Sequence, residues 1–382
     1  MYFTDRPIRI LFVLKRRDDY NAEVHSSIGL STGLYNSAAF MNSMLNSFET
    51  YGDDGYGKNV KKKKFESKLV VVVDNNSIDR EVTLFRPDYC IIEALWVVPE
   101  KFNVLSKLHP TVKWIIRLHS ELPFIAGEGM AMDWIGEYSK FPSITIAANS
   151  PRTLEEVRYF LKRIRDWDDD TTERKVVYLP NYYPIHLGIK KTLDKHKDTL
   201  DVACFGAIRP LKNQLVQAVA AVRAADELGK KLNFHINAGR LEMYGQPVMR
   251  NLSCFFQHYY DVGHRMVIHD WTPHDEFLKL CYTMDLGLQV SLSETFNIVT
   301  ADLLCVGVPV VLSNEIPWAA SLFCADPAQV SDIAAKIVLS YEWPRLNTWM
   351  NVKSLDKYVK NSKRVWCEYF HQPLLEFSDA QI

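Results

Sequence analysis

The sequence predicts an α/β protein of two Rossmann-like domains facing a central cleft, and three observations carry that prediction. Short apolar runs alternate with segments of helical periodicity, the pattern of a parallel sheet with helices on its faces. The alternation stops at a polar, Lys-rich stretch over residues 184–200 and then restarts. Finally, 382 residues exceed what one core usually supports, so two units of about 150 to 200 residues each are expected.

Residues 8–14 read as a buried strand, and after a polar loop Leu34, Ala38, Met41, Leu45 and Phe48 recur at helical spacing. Residues 69–73, 89–92, 114–118 and 144–148 are further short apolar runs with helical segments between them. Ser150 caps the next helix, which has Pro151 at its first position, and Val176-Val-Tyr-Leu-Pro180-Asn181 closes the first half. The second half repeats the scheme with strands at 202–205, 234–237 and 266–269 and a helix over 215–228. Thr272-Pro273-His274-Asp275 opens another helix with capping chemistry and sets Phe277, Leu280, Cys281 and Met284 on one face. Residues 354–370 form an amphipathic helix. The expected limits are 1–186 for the first domain, 187–353 for the second and 354–382 for the terminal helix.

With 47% apolar and 12% aromatic residues the chain can bury both cores. A net charge of -1 gives no global field, so attraction to a polyanion requires a local patch. The seven cysteines show no CxxC pair and no metal spacing, and read as small core residues in a reducing cytosol. No apolar run approaches the roughly eighteen residues needed to span a bilayer, and Met1-Tyr-Phe-Thr-Asp-Arg lacks the apolar segment of a signal peptide. A soluble, cytoplasmic protein is expected.

From position 290 the chain reads Val-Ser-Leu-Ser-Glu294-Thr-Phe296-Asn-Ile-Val-Thr-Ala-Asp302-Leu-Leu-Cys-Val-Gly307-Val-Pro309-Val-Val. A strand ends, a short helix runs to Gly307, and a second strand follows. Ligands of parallel sheets bind outside the carboxyl ends of the strands and at helix N-termini. Free N–H groups in the loop before the helix would face an anion, while Glu294 and Asp302 would accept from hydroxyls, a combination suited to a phosphorylated sugar. The same residues also fit a plain N-cap, Ser293 or Thr295, with Glu294 favouring the macrodipole. Upstream, Phe205-Gly206-Ala207-Ile208-Arg209-Pro210-Leu-Lys212 sets two cations at a helix N-terminus, where they do not help the dipole. A pyrophosphate would explain them; so would solvated surface positions.

These two segments resemble the donor site of family 4 retaining glycosyltransferases of the GT-B fold. There Glu, seven residues and Glu precede Gly-x-Pro-Val-Val, and the upstream loop reads Gly-Arg-Leu-x-Pro-x-Lys-Gly. Gly206, Pro210 and Lys212 match; Ala207 replaces the family's Arg and Asp302 its second Glu. The resemblance follows the segments in order over most of the chain and is weakest in the first sixty residues. It implies that Lys212, with Arg209 and the loop at Thr295, Phe296 and Asn297, holds a donor diphosphate. It further implies that Glu294 holds sugar hydroxyls and Asp302 the ribose, that Gly239 lies at the edge of the nucleotide pocket and that Trp271 packs on the nucleobase, although Trp271 fits a core aromatic equally well. By the same resemblance His119 stands near the transferred sugar, Gly33 belongs to the acceptor-side turn, and the terminal helix crosses back onto the first domain.

The implied activity is metal-independent, cofactor-free retaining transfer of a hexosyl or pentosyl unit from a nucleoside diphosphate sugar to an acceptor hydroxyl. Lys61, Lys62, Lys63 and Lys64, with Lys58 and Lys68, form the concentrated basic run. It reads either as a solvated loop or as a hold on an anionic acceptor, such as a hydroxymethylated DNA base, a glycan or a lipid. A nucleotide-sugar epimerase and a non-catalytic sugar-nucleotide-binding protein are the alternatives.

Overall fold

The structure is a computed structural model that describes residues 6–25, 30–53, 59–185 and 191–371, with backbone alone for 50–53, 59–62 and 371. In chain order the first half holds β1 (Ile8–Lys15), a hairpin of β2 (Glu49–Asp53) and β3 (Asn59–Lys63), β4 (Phe65–Val72), β5 (Tyr89–Glu93), β6 (Lys113–Leu118), β7 (Ile144–Ala148) and β8 (Val176–Tyr178). The second half holds β9 (Thr199–Ala203), β10 (Lys231–Asn237), β11 (Arg265–His269), β12 (Leu286–Gln289) and β13 (Val310–Leu312). Two parallel sheets result, ordered β4-β1-β5-β6-β7-β8 and β11-β10-β9-β12-β13. This is the two-sheet Rossmann-like architecture expected.

Both faces of each sheet are covered, so the strands need apolar residues at successive positions. In β1, Leu11 and Val13 join the core around Val82, Trp114 and Ile116. Ile10, Phe12 and Leu14 point to the other face, against Met41 and Leu45 of the helix Thr32–Asn46. Ser31 starts that helix by accepting from Leu34 N at 3.0 Å, and Ser150 caps Pro151–Arg165 by accepting from Thr153 N at 3.2 Å.

The terminal helix is Pro344–His371 and begins ten residues before the expected start, already on the second sheet. Asn347 makes two hydrogen bonds to Val310, accepting from its N at 2.9 Å and donating to its O at 2.7 Å. Further along, Trp366 lies against Phe12 with ring centroids 6.0 Å apart and donates to Pro180 O at 2.7 Å. One helix therefore packs on both sheets.

Other expectations are corrected. Lys61, Lys62 and Lys63 lie in β3, paired antiparallel with β2 and with Glu49 opposite Lys63, instead of in a loop, and Lys68 lies in β4, while Lys58 is outside the described residues. The helices Gly245–Tyr259 and Val330–Glu342 were not anticipated. Thr272 caps nothing: Pro273 takes the cap position of His274–Thr283 and the Thr272 hydroxyl has no partner. Cys254 is exposed, whereas Cys90, Cys204, Cys281, Cys305 and Cys324 are buried.

Candidate functional site

In each sheet the strand order reverses direction once. The first does so between β1 and β5, the second between β9 and β12. A crevice opens at the carboxyl ends of such a strand pair because the connections leave to opposite sides.

At the second reversal the segments after β9 and β12 are stitched together. Leu292 N donates to Leu211 O at 2.9 Å, and Gln289 Nε2 donates to Phe205 O at 2.9 Å. Gly206 has φ +123°, open to glycine, and its N–H donates to Asn237 Oδ1 at 3.2 Å. This scaffold brings Lys212 and Glu294 into an ion pair whose side chains are 13% and 8% exposed. Asn297 Nδ2 also donates to Glu294 Oε1 at 3.1 Å and to Gln289 Oε1 at 2.8 Å.

Asn297 is in addition the N-cap of Ile298–Cys305, accepting from Thr300 N at 3.0 Å. Neither Ser293 nor Thr295 has that role. Thr295 reaches the other half: its hydroxyl donates to His119 O at 3.2 Å and accepts from Asn149 Nδ2 at 3.1 Å. The Phe296 side chain turns into the core against Trp318 and Tyr358, which leaves only its backbone for a ligand.

Arg209 O accepts from Lys212 N at 3.0 Å, but the Arg209 side chain is engaged elsewhere. Its guanidinium pairs with Glu242 at 2.9 Å and lies 4.7 Å from the ring centroid of Phe124 in the first half. Gly239 and Trp271 do meet: a Cβ on Gly239 would stand 2.7 Å from Trp271 Cδ1. That explains the glycine by close packing. Asp302 is buried, with Oδ1 accepting from the Tyr183 hydroxyl at 2.7 Å and lying 2.8 Å from His274 Nε2. The His274 side chain is the more exposed of the two. Burial pulls the His274 pKa down, but the hydrogen bond and charge of Asp302 outweigh it and hold the value above that of an ordinary histidine.

Across the cleft, Glu93 ends β5 and pairs with both Arg117, at 2.9 Å, and His119. Arg117 is fully buried and also donates to Leu179 O at 3.0 Å and to Asn181. Burial opposes ionisation of Glu93, yet Arg117 and His119 overcome it and lower its pKa. At His119 burial wins, joined by Arg117 against Glu93, and the pKa is lowered. His119 lines a cavity of about 320 Å³ with Lys15, Arg17, Trp96, Ser120 and Trp134. Lys15 ends β1 and Trp96 follows β5, so the cavity occupies the first reversal point. Burial and Arg17 lower the Lys15 pKa. Ala94, at its wall, has φ +68°, a conformation unfavourable for a residue with a Cβ.

Gly33 is brought to the seam between halves, where a Cβ would touch Ile298 Cγ2 at 3.4 Å. The lysine run is not. Lys64 precedes β4, whose first residue pairs with Ile8, the first of β1. Lys63 and Lys64 therefore sit at the end of the sheet opposite Lys15, and Lys64 Nζ lies 3.2 Å from Cys367 Sγ of the terminal helix. The Lys61 and Lys62 side chains lie outside the described residues.

Glu93, Arg117, Asn149, Lys15, Arg17, Trp96, Trp134 and His274 were not singled out from the sequence. A charged residue inside Trp-Ile-Ile-Arg117-Leu was an available signal, since a buried charge requires a partner.

No family model and no curated protein matches the chain. Solved structures match it throughout. The trehalose-6-phosphate synthase OtsA aligns at TM-score 0.66 and 12% identity, covering 95% of this chain and 98% of that one. A trehalose-6-phosphate structure from E. coli with bound UDP-2-fluoro glucose aligns at 0.64 and 12%, again over 95% and 98%. Anabaena HepE in complex with UDP and glucose aligns at 0.60 and 12%, over 95% and 99%. The chain thus has the GT-B fold. The likeness to family 4 rests on its motifs alone.

Proposed function

We propose that the chain is a retaining, metal-independent glycosyltransferase that moves a sugar from a nucleoside diphosphate to an acceptor hydroxyl. The observation that carries this reading is the meeting of Lys212 and Glu294 at the carboxyl ends of β9 and β12. Cation and carboxylate stand side by side where a diphosphate and the sugar attached to it need opposite partners. On donor binding Lys212 exchanges Glu294 for the diphosphate and stabilises its charge as the bond from C1 to the phosphate oxygen breaks. Glu294, held by Asn297, then accepts from sugar hydroxyls. The bond from C1 to the acceptor oxygen forms on the same face, and the acceptor's proton passes to the departing phosphate. That step follows from the family 4 resemblance. Of this pair, the half-buried His274 is the group accessible to a ribose hydroxyl, with the buried Asp302 orienting it.

The acceptor belongs in the cavity at the first reversal, where Lys15 and Arg17 supply positive charge, Trp96 and Trp134 aromatic surface, and His119 and Ser120 hydrogen bonds. This chemistry favours a compact anionic acceptor over a polymer held by the distant lysine hairpin. Because the aligned structures include ones with UDP, UDP-glucose is the first donor to test. Incubation with UDP-glucose and other nucleotide sugars, with and without chelator, should give transfer or slow hydrolysis at equal rates. An isomeric nucleotide sugar would identify an epimerase, binding without turnover a sensor, and strict loss of activity in chelator would exclude metal independence.

A further inference from the structure

We infer that the start of the terminal helix is a docking surface for an anionic membrane, on the end of the second sheet remote from the cleft. The sequence there reads Trp343-Pro-Arg345-Leu346-Asn347-Thr-Trp349-Met-Asn351-Val-Lys353. Asn347 and Asn351 are buried and fix the orientation of the helix, Asn351 by accepting from Ala320 N at 3.0 Å. Residues four apart share one face of a helix. Arg345, Trp349, Lys353 and Lys357 therefore form a stripe on the side turned away from the asparagines, and all four are exposed.

Trp349 is 59% exposed, Trp343 60% and Leu346 39%. Three large apolar side chains gathered on one surface are unusual outside an interaction site. Lys353 Nζ stands 5.1 Å from the Trp349 ring centroid. Beside them a cavity of about 320 Å³ is lined by Lys191, Lys195 and Arg345 together with Asp285 and Glu342. Lys195 is engaged with Glu342 at 2.9 Å and Lys191 donates to Tyr282 O at 2.6 Å. Arg345, Lys353 and Lys357 supply the outward charge, while the nearest acid on the helix, Asp356, pairs with Lys360 at 2.6 Å.

Indole rings settle at the boundary between headgroups and acyl chains, and basic side chains around them meet anionic headgroups. Whole-molecule attraction is absent at a net charge of -1, so this stripe must supply it. Among the described residues no helix is long and apolar enough to cross a membrane; the contact is peripheral. Leu346 favours a bilayer over nucleic acid, since an aliphatic side chain offers no stacking surface to a base. Asp285 and Pro309 line the cavity and precede β12 and β13, whereas Lys212 and Glu294 lie at the carboxyl ends. Docking would leave the cleft open to solvent.

The test is co-sedimentation of the whole protein with phosphatidylcholine vesicles and with vesicles containing a third phosphatidylglycerol, read together with tryptophan emission. Binding to the anionic vesicles with a blue shift, weakening with salt, is expected. Trp349→Ser and the triple variant Arg345→Gln, Lys353→Gln, Lys357→Gln should each reduce it by at least about tenfold with unchanged melting temperature. Equal or absent binding to both vesicle types overturns the inference, as does wild-type binding by both variants. Preferential binding to an oligonucleotide, or Trp349-dependent dimerisation without vesicle binding, overturns it in favour of those partners.

Discussion

Lys212 and Glu294 are nearly shielded from water, so each depends on the other. Removing one partner of a buried pair costs about 3 to 5 kcal/mol, because the remaining charge stays desolvated. Lys212→Met should therefore lower stability in urea by an amount of this order, and Lys212→Met with Glu294→Gln should recover most of it. Transfer should not recover. On the proposed reading the developing diphosphate charge should lose about 2 to 4 kcal/mol of stabilisation without Lys212, and single-turnover kinetics would show it in both variants. Restored transfer in the double variant would make the pair purely structural. Glu294→Gln alone should depress kcat more than donor affinity, since sugar contacts tighten as charge develops. The placement of Lys212 and Glu294 at the carboxyl ends of strands was legible in the sequence, because each lies in a motif that joins a strand end to a helix. The partner of Arg209 was not: its guanidinium pairs with Glu242, thirty-three residues away in sequence. Asp302 stood out in the sequence but its surroundings were hidden, since Tyr183 and His274 come from elements distant in the chain.

The short helix Ile298–Cys305 depends on Asn297, which holds φ +61° while its side chain serves Thr300, Gln289 and Glu294. Asn297→Gly keeps the backbone comfortable and removes all three bonds, so its loss of activity should exceed the few tenths of a kcal/mol that a cap-to-glycine change costs in stability. The sequence reading shifted this cap to Ser293 or Thr295 because a left-handed Asn cap leaves no pattern distinct from an ordinary polar loop. Strands were legible for the opposite reason: burial on both faces demands unbroken apolar runs, and 144–148 coincides with β7. The hairpin β2–β3 was missed since its lysines, glycines and tyrosines suit a loop as well as a solvated two-stranded ribbon. The helix His274–Thr283 carries a pH prediction. Because His274 has its pKa raised by Asp302, its stabilisation is complete below the ordinary histidine value of about 6.5 and is lost as pH rises through the raised one. His119, with a lowered pKa, contributes in the opposite sense, losing stability as pH falls below the ordinary value. His274→Gln should flatten the decline of Tm on the alkaline side and leave the acid side unchanged; an unaltered profile would show that the Asp302 contact is not coupled to folding.

Among the described residues, side-chain hydrogen bonds and ion pairs join the two halves, and the arrangement of the whole molecule depends on them. Thr295 connects the donor loop to His119 O and Asn149, Arg152 pairs with Glu315 at 2.8 Å, and Arg240 Nη1 donates to Leu30 O at 3.2 Å. The terminal helix packs on both sheets and limits how far they separate. Thr295 is unusual among these contacts. On the proposed reading its neighbour Glu294 meets the donor, while the Thr295 hydroxyl bonds to the first half, so donor binding and closure of the cleft would be joined there. Thr295→Val retains the shape and removes both hydrogen bonds. A net hydrogen bond is worth about 0.5 to 1.5 kcal/mol, so the closed population should fall by roughly 2- to 12-fold per bond. Nucleoside diphosphate affinity, which the proposed reading assigns to Lys212 and the loop backbone, should change little, and kcat should fall with the closed population. Small-angle scattering should show a larger radius of gyration in the variant, reduced again by donor and acceptor together. Asn149→Ala should reproduce the effect from the other side of the seam. If Thr295→Val closed and turned over like the wild type, the hydroxyl would merely fill the seam, and coupling between the halves would have to run through Arg240 and the terminal helix.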